Sequence, residues 1–233
     1  MVNESIPVAD RNGIVKALPD ELSEENRKRL SKFGIFMFLY DFVQYHFVRP
    51  RLHKADPKRH SDILRELISP VRNSRVLDIA CGTGAAIEYF ASSNEYSGLG
   101  LSYSMLRQAV RKAEKKSFRK ARLVQGNAED LVFDDNSFDF VLMDTALHMI
   151  PDYHRAVSEV ARVLINSCTF LCSTPAAGIS GEFDAGWRKI ADRRSLNSLT
   201  ENDIKNVCSM NGLKYRFIDT NGGMLYFSCM KEN

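Results

Sequence analysis

Val76-Leu77-Asp78-Ile79-Ala80-Cys81-Gly82-Thr83-Gly84 reads as a buried strand that ends at an acidic residue and runs straight into a glycine turn. Without a Cβ at Gly82 and Gly84 the chain bends sharply there, and its backbone can approach a ligand closely. Asp78, leaving the carboxyl end of the strand, offers oxygens to a ligand's ammonium or hydroxyl groups. A hydrophobic strand followed by Gly-x-Gly and a helix is common to many nucleotide folds, so the rest of the chain decides the ligand.

Outward from that stretch the pattern alternates. Strands are expected at Ser74 to Ile79, Tyr96 to Leu101, Arg122 to Gln125, Phe138 to Met143 and Cys168 to Ser173, with helices at about 85 to 93, 103 to 118 and 152 to 164. Alternation of this kind implies right-handed crossovers and a mostly parallel α/β sheet, Rossmann-like, with helices on both faces. Ligands then bind at the carboxyl ends of the strands, near the switch in strand order. Later the pattern changes, with a helix at about 200 to 211 and two strands, 213 to 219 and 224 to 230, around Asn221-Gly222-Gly223. That turn predicts a C-terminal antiparallel hairpin, which separates this chain from a plain dinucleotide-binding domain.

Before the glycine turn, residues 1 to 25 mix charges with Pro7, Gly13 and Pro19 and read as a loosely held, flexible arm. Phe33, Phe36, Met37, Tyr40, Val43, Gln44 and Phe47 recur at helical spacing, predicting an aromatic helix packed on the core. A second helix is expected from Pro57 to Ile68, stopped before Pro70. The expected organisation is a single domain over 26–233: a helical lid at 26–70, a ligand-binding core at 71–175, and a substrate-side insert with the hairpin at 176–233.

Composition narrows the class. The 233 residues, 44% hydrophobic, suffice for one substantial core, and 32 basic against 29 acidic residues leave a net charge of only +3, which makes nucleic acid an unlikely partner. Cys81, Cys168, Cys172, Cys208 and Cys229 form no CxxC pair, so reduced thiols in a cytoplasmic protein and no metal site are expected. No stretch approaches the ~20 apolar residues of a membrane span. Arg107, Arg111, Lys112, Lys115, Lys116, Arg119, Lys120 and Arg122 form a basic cluster, read as a solvated helix face, with an RNA- or phosphate-binding surface as the alternative.

Three further segments join the glycine turn: Gly98 to Leu106; Gly126-Asn127-Ala128-Glu129-Asp130 continuing to Ser137-Phe138-Asp139; and Ala146-Leu147-His148-Met149-Ile150-Pro151-Asp152. In this order and spacing the chain resembles the Rossmann-like S-adenosylmethionine-dependent methyltransferases, particularly small-molecule enzymes like the ubiquinone and menaquinone C-methyltransferases. The resemblance covers about residues 40 to 175. It implies S-adenosylmethionine as cofactor, with Ala80, Gly82 and Gly84 under the methionine part and Asp78 near its amino group. Gly100, Leu101 and Ser102 then fall at the ribose, Asn127 and Ala128 at the adenine, Asp144 and Thr145 on the floor beneath the methyl group, and Tyr40 over the cofactor's carboxylate. Two departures stand out: the family's ribose-binding acid is replaced by Gly100, and Asn127 stands where Asp is more frequent. Asn166-Ser167-Cys168 also replaces a Pro-Gly-Gly turn. A dinucleotide oxidoreductase, suggested by Ala80-x-Gly82-x-x-Ala85, lacks the same acid.

Methyl transfer from a sulfonium is an in-line displacement, so the protein must mainly align donor and acceptor and exclude water. Where the acceptor needs a general base, His148 after the fourth strand is the first candidate, with Asp41 and His46 behind it. The other reading of His148 is a histidine that caps the next helix or packs under the lid. Residues 175 to 199, with Trp187, Arg188, Arg193 and Arg194, are expected to shape an acceptor pocket, their arginines read as exposed helix charges. A small-molecule acceptor is the expected partner; RNA methylation, and cofactor or nucleotide binding without catalysis, are the alternatives.

Overall fold

The computed structural model describes residues 8–18, 22–32 and 40–232; the side chains of 29–32 and 40 are not described. The aromatic residues Phe33 to Leu39 and the side chain of Tyr40 therefore lie outside the described residues. The elements in chain order are β1 (Ile14–Lys16), α1 (Glu24–Lys32), α2 (Tyr40–Val43), α3 (Pro57–Ile68), β2 (Arg75–Ile79), β3 (Glu95–Gly100), α4 (Tyr103–Lys116), β4 (Lys120–Gln125), β5 (Phe138–Asp144), α5 (Tyr153–Val163), β6 (Leu164–Pro175), α6 (Gly181–Arg194), α7 (Glu201–Met210), β7 (Leu213–Asn221) and β8 (Met224–Lys231).

Eight strands make one sheet in the order β1-β4-β3-β2-β5-β6-β8-β7. Pairing is parallel from β1 through β6, and β8 is antiparallel to both β6 and β7. The strand order reverses between β2 and its neighbours β3 and β5, which opens a cleft at their carboxyl ends. Alternation along the strands feeds both faces. In β5, Val141 and Met143 join the cluster that takes in Val157 and Val160 of α5 and Ile204 and Val207 of α7. Phe140 and Leu142 join the opposite cluster, with Leu64 and Ile68 of α3 and Leu106 and Ala109 of α4.

The helices start where their sequences provide caps. Asp56 accepts from the amides of Lys58 and Arg59 ahead of Pro57, Ser102 caps α4, Asp152 caps α5, and Thr200 with Asp203 forms a capping box on α7.

The hairpin tip also positions the site. Gly222, at φ +59°, leaves no room for a Cβ against Lys54, and Gly223 leaves none against the Phe183 ring. The Asn221 side chain accepts from the Asp56 amide at 2.9 Å and donates to the Asp56 carbonyl at 2.8 Å. These contacts fasten the tip of the β7–β8 hairpin to the start of α3.

Three expectations are corrected. Within the segment read as a loose arm, Ile14–Lys16 is an edge strand parallel to β4, and Ile14 is fully buried, because its side chain completes the α4 face of the core. The helix expected at 85 to 93 is a single 3₁₀ turn, Ala85–Glu88. Beyond it Ser93 and Asn94 bind the backbone of Asn73, Ser74 and Val71 and so compete with helix continuation. Among its described residues the aromatic helix is α-helical over Tyr40–Val43 and winds as a π-helix over Gln44–Leu52. More residues per turn pull the helical spacing off one face, and Phe42, Val43, Tyr45 and Phe47 are exposed rather than packed on the core. The connection after β6 contains α6, whose Phe183, Trp187 and Ala191 form a buried stripe at intervals of four.

All five cysteines are free thiols; Cys208 and Cys229 pack sulfur to sulfur at 3.4 Å in the core. Among the described residues no helix is long and apolar enough to cross a membrane.

Candidate active site

Two lobes open at the carboxyl ends of β2, β3, β4 and β5 and share Ala80, Gly82, Ala146 and Met149. The larger lobe, of about 600 Å³, runs along the glycine turn and is bounded by Asp41, Tyr45, Arg49, His60, Lys112 and Asp144. The smaller, of about 110 Å³, is bounded by Leu99 to Ser102, Met105, Gly126 to Ala128, Ile150 and Asn26.

Backbone conformation marks the junction. Gly82 and Gly84 hold φ of +55° and +74°, and at Gly84 a Cβ would meet Ile87 Cδ1 at 2.6 Å and Ala109 Cβ at 3.0 Å. Ala80 and Thr145 also adopt positive φ, +57° and +53°, at the ends of β2 and β5. For a β-branched residue such as Thr145 that conformation is costly, and such strain concentrates at ligand sites. Thr145 is held in it by donating its amide to the Ser173 carbonyl at 2.8 Å and its hydroxyl to Asp144 at 2.9 Å.

Asp144 centres a polar network on the floor of the larger lobe. It accepts from the Ser173 hydroxyl, lies 3.8 Å from Arg49 Nη2, and lies 3.4 Å from His60 Nε2. Burial works to raise its carboxyl, but His60, Arg49 and Ser173 outweigh burial and hold it well below the ordinary carboxylate range. Arg49 Nη2 lies 2.9 Å from His60 Nε2. His60 Nδ1 lies 2.7 Å from the Tyr226 hydroxyl. The hairpin dock described above is what brings Tyr226 to α3.

The sequence-based candidates divide. Ala80, Gly82, Gly84, Asp144 and Thr145 line the larger lobe; Ala80, Gly82, Gly100, Leu101, Ser102, Asn127 and Ala128 line the smaller. Asp78 lines neither lobe. It is buried, accepts from the Tyr96 hydroxyl at 2.8 Å, and burial raises its carboxyl to about 7, with the Tyr96 bond opposing that rise. Asp41 lines the larger lobe but is committed, accepting from the Thr83 hydroxyl and pairing with Lys112 at 2.8 Å. His46 is exposed, packs on the Phe42 ring and lines neither lobe. His148 is 3% exposed and packs edge-on with His53 and against Trp187, outside both lobes, so it takes the packed position rather than the rim.

Gly100 has space. A Cβ built there meets only Leu106 and the Gly82 amide, at 3.6 Å and beyond. Ser102, two residues on, accepts from the Met105 amide as the cap of α4 and bonds Ser104 at 3.1 Å. The polar side chain that sequence reasoning missed is Asn26. It reaches the smaller lobe from α1 and donates to Glu129 Oε2 at 2.7 Å, the oxygen that also takes the Asn127 amide at 3.2 Å. Arg49, His60 and Tyr226 were missed as well; they come from three separate elements, and no spacing in the sequence connects them.

The methyltransferase domain family matches residues 77–172, from inside β2 to inside β6, a span that contains the glycine turn, the Asn127–Ala128 loop and Asp144. Residues 77–172 therefore resemble a methyltransferase domain. The chain is 35% identical over 135 residues to a demethylmenaquinone methyltransferase of Bacillus licheniformis, 56% of each protein. It is 41% identical over 97 residues to one of Staphylococcus carnosus, covering 40% of this chain and 39% of that protein. The chain thus matches roughly half the length of these relatives or less. Among solved structures, a Haemonchus contortus phosphoethanolamine N-methyltransferase 2 in complex with S-adenosyl-L-methionine superposes with TM-score 0.71 at 15% identity, over 93% of this chain and 62% of that one. A Streptomyces coelicolor geranyl diphosphate C-methyltransferase, in complex with Mg²⁺, geranyl diphosphate and S-adenosyl-L-homocysteine, superposes with TM-score 0.67 at 14% identity, over 91% and 100%. These likenesses show the fold alone: the α/β sheet, mostly parallel, with β8 reversed.

Proposed function

We propose that the protein is an S-adenosylmethionine-dependent methyltransferase that methylates a small-molecule acceptor by in-line displacement. The observation that carries this is the two-lobed cleft at the carboxyl ends of β2 to β5, whose glycine turn, Asn127–Ala128 loop and Asp144 fall within the span matched by the methyltransferase domain family. Its chemistry fits the cofactor. The smaller lobe presents Leu99, Leu101, Met105 and Ile150 beside the Asn127 amide, a setting for a flat heterocycle with a polar edge. The larger presents Lys112, Asp41 and Asp144 along the glycine turn, a setting for a zwitterion.

When bound, the cofactor supplies an activated methyl on a positive sulfur. In this reading Ala80, Gly82 and Gly84 lie under its methionine part and Asn127 and Ala128 hold its adenine. Gly100, Leu101 and Ser102 flank the ribose, and Asn26 supplies the polar side chain that position 100 lacks. Asp144 and Thr145 form the floor, and Tyr40 is the closing residue from α2. Asp78 acts from behind the turn through Tyr96. The chain's contribution is alignment and exclusion of water. The five free thiols support a cytoplasmic setting.

Calorimetric titration with S-adenosylmethionine and S-adenosylhomocysteine tests the reading: both bind if it holds, and binding of neither overturns it. Gly100 favours a second reading, a protein that holds the cofactor without turning it over. Release of S-adenosylhomocysteine in a screen of small acceptors excludes that alternative.

A further inference from the structure

One buried donor on the wall of the larger lobe has no hydrogen-bond partner among the described residues: Arg49 Nε. Its side chain is 14% exposed and held in place through Nη2, which lies 2.9 Å from His60 Nε2 and 3.8 Å from Asp144. Leaving a charged N–H buried and unmatched is costly, and an oxygen anion is the group that matches it best. With Arg49 included, the lobe holds four basic side chains against three acidic ones. Lys112, Lys115 and Lys116 line it from one face of α4. The acids that line it are Asp41, Glu88 and Asp144, of which Asp41 is paired with Lys112 and Asp144 with Arg49 and His60. The positive sulfur that the proposed function places in this lobe adds to the excess.

We propose that the acceptor carries an anionic oxygen group, a carboxylate or phosphate, that docks on Arg49 in the larger lobe, making Arg49 the residue that selects acceptors by charge. The proposal rests on the methyltransferase reading above and names the substrate class of that site. It differs from an anion site on the α6 arginines, since Arg49 lies on the π-helical stretch at the cleft and its donor is buried.

The test begins with S-adenosylhomocysteine alone, by calorimetry; no binding to the wild type removes the function and this inference together. The saturated protein is then titrated with benzoate, phenyl phosphate, benzyl alcohol and benzylammonium, probes of similar shape and different charge. Benzoate or phenyl phosphate is expected to bind at least tenfold more tightly than the neutral and cationic probes, and the preferred one of the two tells carboxylate from phosphate. Arg49→Gln is expected to weaken that anion at least tenfold while changing S-adenosylhomocysteine affinity less than twofold. If Arg49→Gln does not fold, Arg49→Lys, which keeps the charge but lacks Nε, is read in its place with the same expectation. Anions that bind no better than benzyl alcohol, or that are insensitive to position 49, overturn the proposal. A tenfold loss of S-adenosylhomocysteine itself assigns Arg49 to the cofactor's own carboxylate and also overturns it.

Discussion

Asp78 shows how a single side chain can serve a site without touching it. Buried beneath the glycine turn and bonded to Tyr96, its carboxyl is raised to about 7 from an ordinary 3.8. Between those values the unfolded chain has released this proton and the folded protein still holds it. Stability therefore falls as pH rises from about 4 to about 7 on account of this residue. Asp78→Asn should remove that fall: thermal denaturation should find the variant equal to wild type near pH 4 and more stable at pH 8, by an amount on the order of a few kcal/mol. Equal stabilities at pH 8 would contradict the buried, protonated carboxyl. Asp144 has the opposite sign, held as a carboxylate by His60, Arg49 and Ser173, so its contribution is lost only in strong acid. At Gly100 the open space around a Cβ leads to a second expectation. Gly100→Asp should fold normally and bind S-adenosylhomocysteine at least as tightly as wild type in calorimetry, and abolished binding would place the ribose elsewhere.

Among the elements, α6 packs through one aromatic stripe. Phe183 stacks on Trp187 at 4.9 Å between ring centroids, and Trp187 is 1% exposed against His53 and His148. Truncation there leaves a large void, so Trp187→Ala should cost about 3–5 kcal/mol in urea denaturation. A cost under about 1 kcal/mol would mean that α6 is docked by its ends alone. The stripe Phe183, Trp187, Ala191 was present in the sequence, but it lay in a connection whose flanking turns gave no sign of a helix partner. The π-helical stretch before α3 was not legible at all. Pro50 and the charged pair Arg49 and Arg51 fit several windings, and only the docking of its end against the hairpin tip, where the Gly223 amide donates to the His53 carbonyl at 2.8 Å, selects one.

At the scale of the whole molecule, α1 is the part whose role depends on the cleft. Asn26 is 1% exposed and reaches the smaller lobe while bonded to Glu129, so α1 covers that lobe from outside the sheet. Occupation of the lobe should then slow exchange of the amides of Glu24–Lys32. Hydrogen-exchange mass spectrometry with and without S-adenosylhomocysteine should show protection in this peptide, and unchanged exchange would separate α1 from the ligand site. β1 adds an edge strand that the arm's composition did not announce. A three-residue strand has no period to read, and Ile14 gains its burial only once α4 and β4 are in place.

The sequence by itself determined the parallel sheet, its helical crossovers, the hairpin and the position of the glycine turn, because period-two runs, caps and glycines act over a few residues each. It also marked Ala80, Gly82, Gly100, Asn127, Ala128, Asp144 and Thr145, which follow strands directly and so share the end of the sheet where they terminate. Only the tertiary structure decided that His148 packs away from the cleft, that Asp41 is committed to Thr83 and Lys112, and that Arg49, His60 and Tyr226 meet at Asp144. Those residues are brought together by helix packing and by the hairpin's dock on α3. Such contacts join positions far apart in the chain, and their energy resides in the packing rather than in any local preference.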